Sequence, residues 1–163
     1  MCYIGTYYTA QVCLNGHVIN DSANVYPENT EKFCGSCGKP TIMNCPTCNI
    51  KIRGFYYVEG VLSLRSMTTA PAFCYNCGTP YPWTELALQA ANEIIFEDEN
   101  LTQTEKEKLN ESLPDIISET PKTQLASTRI KKDLATTGKF TAEAIRQFVI
   151  DFGCDLAKKS VGL

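Results

Sequence analysis

Glu31-Lys-Phe-Cys34-Gly-Ser-Cys37-Gly-Lys-Pro40 and Pro71-Ala-Phe-Cys74-Tyr-Asn-Cys77-Gly-Thr-Pro80 are two copies of one pattern, Phe-Cys-x-x-Cys-Gly-x-Pro. A third pair, Cys45-Pro-Thr-Cys48, lies between them, and Cys13-Leu-Asn-Gly-His17 precedes them. Two ligands separated by two to four residues can leave one tight turn and meet the same ion, and a tetrahedral zinc site wants four sulfur or nitrogen donors. Three Cys-x-x-Cys pairs and one Cys-x-x-x-His pair supply eight ligands, which fill two closed sites and leave no open position. The flanking residues suit such turns. Gly38 and Gly78 follow the second cysteine of their pairs, where the backbone has to turn left-handed, and Asn49 stands at the same place after Cys48. Gly16 directly precedes His17.

The chain has 163 residues, of which nine are cysteine, and the single histidine is His17. In a reducing compartment so many thiols point to metal ligands rather than disulfides. A redox Cys-x-x-Cys is a single motif at a helix start, which this repeated arrangement is not. Sequential pairing gives one zinc Cys13, His17, Cys34 and Cys37 and the other Cys45, Cys48, Cys74 and Cys77. It leaves 16 and 25 residues inside the sites, room for a strand and a hairpin, and seven between them. An interleaved cross-brace would join the first pair to the third and the second to the fourth. The histidine does not fall mid-series as it does in a RING finger. Cys2 and Cys154 have no partner at ligand spacing. Cys154 is expected as an inert thiol among apolar residues of a helix.

These residues resemble a double zinc ribbon, two consecutive rubredoxin-like knuckle pairs. Tyr7-Tyr-Thr-Ala-Gln-Val-Cys13 through His17, together with the three Cys-x-x-Cys segments and Gly54-Phe-Tyr-Tyr-Val58, is similar to a family of small bacterial proteins of unassigned function. The likeness covers residues 7–84. It implies two structural zincs and no established reaction.

The texture changes near Trp83. Six of the eight prolines lie before it, among short runs rich in Tyr, Asn and Thr, the pattern of turns and short strands. Beyond it the spacing becomes helical. The expected class is α+β: a double zinc-ribbon module of short β-hairpins over 1–83, then a helical region over 84–163 with about four helices. Thr84 is the expected cap of the first, with Trp83 and Leu88 as a hydrophobic staple and Ala87, Ala90, Ala91, Ile94 and Ile95 as its apolar stripe. Thr102-Gln-Thr-Glu105 reads as a capping box for a helix ending before Pro114. Thr120-Pro121 starts the next, and Gly138 suits its end. Thr141 caps the last, which is expected over 141–159. Its apolar face is Ile145, Phe148, Val149, Phe152 and Leu156. That face packs on the protein's own helices or joins it to another copy or partner. Its polar face is mixed in charge, which speaks against a membrane surface.

Charge falls in blocks. Residues 1–83 carry five bases and four acids, 84–119 two bases and ten acids, and 120–163 eight bases and four acids. Acidic and basic helices can face each other or water, and the basic tail can meet an acidic partner. No apolar run approaches the roughly 18 residues of a membrane span and no signal-like start is present, so the chain is expected to be cytoplasmic.

Three function classes compete. An interaction or scaffold protein would use the zincs to hold a small module. Its binding face would come from among Tyr7, Tyr8, Phe55, Tyr56, Tyr57 and Tyr81, although these rings could equally be the module's core. A nucleic-acid binder would stack bases on these rings beside Lys51, Arg53 and Arg65. Charge opposes it: two dications bring +4 and seven thiolates −7, taking the net charge from −3 to about −6. An enzyme lacks candidates, because no HExxH, phosphate loop or nucleophile motif is present and the one histidine is assigned to zinc. The expectation is a non-enzymatic zinc protein with a protein partner, with nucleic-acid binding as the alternative.

Overall fold

The ligand pairs sit at the ends of very short strands. In the computed structural model, which describes residues 5–62 and 69–162, strand β1 (Thr6–Thr9) leads through Ala10 into β2 (Gln11–Cys13), so the first ligand ends a strand. Cys2 and Arg65 lie outside the described residues. β2 is the centre of a three-stranded antiparallel sheet, flanked by β3 (Val18–Asn20) and β4 (Thr41–Ile42). β1 pairs instead with β5 (Arg53–Tyr57), Tyr7 opposite Tyr56, with an irregularity between Tyr7 and Thr9. The chain is thus α+β, with short antiparallel strands first and five helices after.

The chain forms two compact units, Met1–Thr84 and Glu85–Leu163. In the first, a small core of Ala10, Val12, Ala23 and Ile52 is completed by Tyr81 and Trp83. The buried Gln11 amide is fully paired, as burial requires. The Gln11 amide donates to Glu31 O at 2.7 Å and to Thr41 Oγ1 at 2.9 Å, and its carbonyl accepts from Glu31 N–H at 3.0 Å. This one side chain ties β2 to the approach of the second ligand pair. Gly54 is required by proximity, since a Cβ there would collide with the Asp21 carbonyl.

Helix α1 (Pro82–Glu97) starts two residues before the expected cap. Proline supplies the fixed φ of a first helical position. Thr84 is therefore inside the helix, and its hydroxyl donates to Ala72 O at 2.8 Å rather than capping. The expected stripe is partly buried: Ala91 and Ile95 are covered while Ala90 is exposed.

In the second unit α2 (Gln103–Ile117) begins with the expected capping box, Thr102 N–H donating to Glu105 Oε2 at 2.8 Å. It does not stop before Pro114. It runs one further turn because Leu113, Ile116 and Ile117 are buried there, which outweighs the hydrogen bond proline removes. α3 (Thr123–Asp133) starts two residues later than the expected Thr120 cap and Pro121 first position: Lys122 is its N-cap, and the Thr120 hydroxyl accepts from Lys122 N–H at 3.1 Å in the turn before it.

Gly138 does not end α3. It is the N-cap of α4 (Lys139–Phe152), and the expected cap, Thr141, lies in the first turn of that helix. The cap is supplied from a distance: Gly138 N–H donates to Asp98 Oδ2 at 2.9 Å. The expected single helix over 141–159 is two, broken at Gly153 and Cys154 before α5 (Asp155–Val161). Cys154 is thus a half-buried residue at a helix break whose N–H donates to Ile116 O at 2.8 Å. α2 packs on α3 and α4, and α5 packs on α3 and α4. Ile145, Phe148 and Val149 are buried in the process, with Phe148 only 7% exposed, while Phe152 and Leu156 are half-covered. No described helix is long and apolar enough to cross a membrane.

Asp98 is only 6% exposed, and burial alone would raise its carboxyl pKa. Donation from the Thr141 hydroxyl and from the Asn100 and Gly138 amides more than offsets this and lowers it below the ordinary value. A depressed carboxyl stabilises the fold fully above its unfolded pKa, about 3.9, and loses that contribution as pH falls through the folded value. Asp98→Ala should therefore cost about 0.5–2 kcal/mol near neutral pH, the range for a lost helix cap. The gap between wild type and variant should narrow as the pH falls below about 4. Thermal melts followed by circular dichroism from pH 7 to pH 2.5 check this, and a gap that stays constant contradicts it.

Candidate metal centres

Each Cys-x-x-Cys pair is built by the same backbone turn. Cys34 N–H donates to Lys39 O at 2.8 Å and Gly38 N–H to Cys34 O at 2.8 Å. Cys45 and Asn49 repeat these bonds at 2.7 and 2.9 Å, to Ile50 O and Cys45 O, and Cys74 and Gly78 repeat them at 2.9 Å each, to Thr79 O and Cys74 O. Bridges Phe33 to Pro40, Asn44 to Lys51 and Phe73 to Pro80 close the three hairpins. Closure needs a left-handed residue after the second cysteine, and φ is +70° at Gly38, +61° at Asn49 and +72° at Gly78. Asn49 is the only non-glycine with positive φ among the described residues, at the position its sequence marked. The first pair uses a shorter variant, Cys13 N–H to His17 O at 3.0 Å and Gly16 N–H to Cys13 O at 2.8 Å.

The turns bring the eight residues into two groups, Cys13, His17, Cys34 and Cys37, and Cys45, Cys48, Cys74 and Cys77. Within each group the candidate ligand atoms all lie within 4.8 Å of one another. Cys13 Sγ is 3.4 Å from His17 Nδ1 and 3.7 Å from Cys37 Sγ, while Cys34 Sγ is 3.5 Å from His17 Nδ1. In the other group Cys45 Sγ lies 3.8 Å from Cys77 Sγ, and Cys48 Sγ 3.7 Å from Cys74 Sγ. These are sequential groups, not interleaved ones. Each could hold a metal ion at its centre, since four donors converge and every pair of Sγ or ring nitrogen atoms is within the span of one coordination shell.

The surroundings favour the thiolate at Cys34, Cys74 and Cys77 and disfavour it at Cys48 and at Cys13, where burial raises the thiol. Burial raises Cys34 and Cys74, but amide N–H groups of their own turns, Ser36 and Cys37 in one and Cys77 and Asn76 in the other, donate to sulfur and bring each down to about 6. Asn76 Nδ2 donates to Cys48 Sγ at 3.5 Å, linking the two halves of the second group. Tyr81, one of the rings that could form either a binding face or the module's core, is 1% exposed and belongs to the core. Burial first, then the Cys74 sulfur beside it and the charges of Cys45 and Cys48, push its phenol well above the usual range, so it remains a neutral donor next to the second group. Tyr81 and Asn76 are the outer residues of this centre that spacing alone did not reveal. Such residues orient first ligands.

With this geometry in place the family is clear. The chain belongs to the DUF2321 family. The family model, of uncharacterized proteins conserved in bacteria, matches residues 6–161. The DUF2321 match therefore spans both units, helices included. No curated protein and no solved structure matches the chain.

The other expected rings divide. Tyr7 and Tyr56 pack at 4.7 Å between centroids on β1 and β5, and Tyr8 stacks on Tyr57 at 5.4 Å and lies near Phe55 at 6.1 Å. The Arg53 guanidinium lies over the Tyr7 ring at 4.6 Å and over the Tyr75 ring at 3.7 Å. Tyr7 and Tyr75 are each 48% exposed, so this stack is at the surface. Tyr75 was not among the expected rings. Its position inside a ligand pair masked it.

Asn49 supplies a test of the knuckle geometry. Asn49→Val puts a β-branched residue at φ +61° and should cost about 1–3 kcal/mol, while Asn49→Gly should be neutral or stabilising. Melting temperature and metal retention against a chelator check this, and equal behaviour of the two variants contradicts it.

Proposed function

We propose that this chain is a non-enzymatic, cytoplasmic zinc-binding interaction protein. Two structural zincs hold its first unit, and the Tyr7–Arg53–Tyr75 surface binds an acidic segment of a partner protein. The observation that carries the reading is the grouping of the eight donors into two closed sets of four. Three sulfurs with one imidazole, and four sulfurs, are donor sets that suit tetrahedral zinc. Four protein ligands leave no coordination position for a substrate or an activated water, which separates a structural site from a catalytic one. The first unit has a small core, so the ions supply much of the free energy that fixes its surface.

The partner class follows from the stack. The Arg53 guanidinium packs over two rings and is exposed, and the edge of a guanidinium carries N–H donors in a fork that matches a carboxylate. Single-stranded nucleic acid is the second reading, favoured by the same rings and cation and opposed by the net charge of about −6 on the loaded chain. Self-association through the last helices would use Phe140 and Ile150, exposed on α4, because Ile145, Phe148 and Val149 are already covered.

Metal analysis of purified protein should return about two zincs per chain. Chelation should unfold the first unit while the helices of the second persist. Iron in place of zinc, or a first unit that resists proteolysis after complete metal removal, overturns the zinc reading.

For the surface, an acidic peptide should bind the zinc-loaded chain, and Arg53→Ala should weaken it about tenfold or more with the fold intact. Fluorescence anisotropy with this peptide and with a single-stranded oligonucleotide, each at two salt concentrations, decides between the readings. Binding of the oligonucleotide alone, weakening steeply with salt, overturns the protein-partner reading.

A further inference from the structure

Tyr81 and Trp83 stack on each other with centroids 4.6 Å apart and planes 16° from parallel, and both are buried. They touch different centres. Toward the second, Tyr81 N–H donates to Ala72 O at 3.0 Å, the Trp83 indole N–H to Pro71 O at 2.9 Å, and the Thr84 hydroxyl to Ala72 O at 2.8 Å. These bonds clamp the chain entering the Cys74–Cys77 turn to the chain leaving it, and the Tyr81 phenol interacts with the Cys74 sulfur. Toward the first, Trp83 lies under the Cys13–His17 turn. A Cβ built on Gly16 would stand 3.0 Å from Trp83 Cβ and 3.1 Å from its Cγ. Gly16 has φ +90° and is bonded to His17, which is exposed. The indole is therefore a floor against which the turn carrying His17 is set.

We infer that the Tyr81–Trp83 pair couples the two centres, so that a divalent cation at Cys45, Cys48, Cys74 and Cys77 raises the affinity for a second cation at Cys13, His17, Cys34 and Cys37. The inference rests on the two-centre reading above. The place of Trp83 is fixed by the 71–81 hairpin, and that hairpin is pinned at both ends when the four sulfurs of the second centre converge on an ion. With the hairpin released, the Gly16 turn loses its floor, and binding at the first centre has to order that turn unaided. Linkage makes the effect reciprocal: filling the first centre favours the second by the same factor. Trp83 and Tyr81 act as positioning residues, since neither supplies a ligand atom.

Cobalt(II) titration of the full chain tests this, because ligand-field bands separate a three-sulfur, one-nitrogen site from a four-sulfur site. Cys45→Ser with Cys48→Ser removes the second centre. The affinity of the first should then fall at least about fivefold, the lower end of ordinary coupling. Trp83→Leu keeps all eight ligands. It should bind two cobalt ions, and removing the second centre in its background should leave the first centre's affinity unchanged. Tyr81→Phe retains the stack and should preserve the coupling while weakening the second centre. Should the serine variant fail to fold, stepwise binding to the intact ligand set still decides: cooperative in wild type and independent in Trp83→Leu. Two ions bound independently by wild type overturn the coupling alone, whereas fewer than two ions per chain overturn the two-centre reading with it.

Discussion

Donors pressed within 4.8 Å of one another, most of them sulfur, stay together only around a cation. Much of the first unit follows from that constraint. Its strands have two to five residues, too short to be stable as isolated pairs, and its core is a handful of small side chains finished by two aromatics. What aligns the strands is the set of turns at their ends, and those turns are shaped by amide hydrogen bonds to sulfur and to the first cysteine's carbonyl. The left-handed residue after each Cys-x-x-Cys pair, and Gly16 within the first pair, is the backbone's answer to the same demand. The helices of the second unit need none of this. They are held by ordinary burial of Leu109, Leu113, Ile116, Ile130, Ile145 and Val149.

The knuckles were legible in the sequence because their chemistry is local. Ligand spacing, the glycine or asparagine after each pair and the repeated Phe and Pro all belong to segments of ten residues, so no distant contact had to be guessed. The sequential grouping was legible for a related reason: the 16 and 25 residues inside the two sites have room for a strand and a hairpin, and the histidine does not fall mid-series as a cross-brace of the RING kind would have it. The pairing of β1 with β5 was not legible, since nothing in Thr6–Thr9 marks Arg53–Tyr57 as its neighbour.

The helical unit shows the opposite balance. The apolar face of α4 and the Thr102 box followed from periodicity and cap chemistry, but several boundaries did not. Pro114 looked like a stop and was overridden by three buried residues beyond or beside it. Gly138 looked like an end and is a beginning, because its amide is satisfied by Asp98, 40 residues earlier. Tyr81 stayed open between surface ring and core because nothing local shows that it lies against Cys74. In each case a tertiary partner decided what a local signal left open.

The long reach from β1 to β5 sets an order of events on the ribosome. The chain is delivered from its N-terminus, and all four donors of the first centre have been synthesised once Cys37 is made, while β1 has no pairing partner until Arg53–Tyr57 follows. The second centre waits longer still, for Cys77. A nascent chain can therefore capture one ion early and carry an unpaired strand edge for some twenty residues of translation, from Cys37 to Tyr57, before that edge is covered.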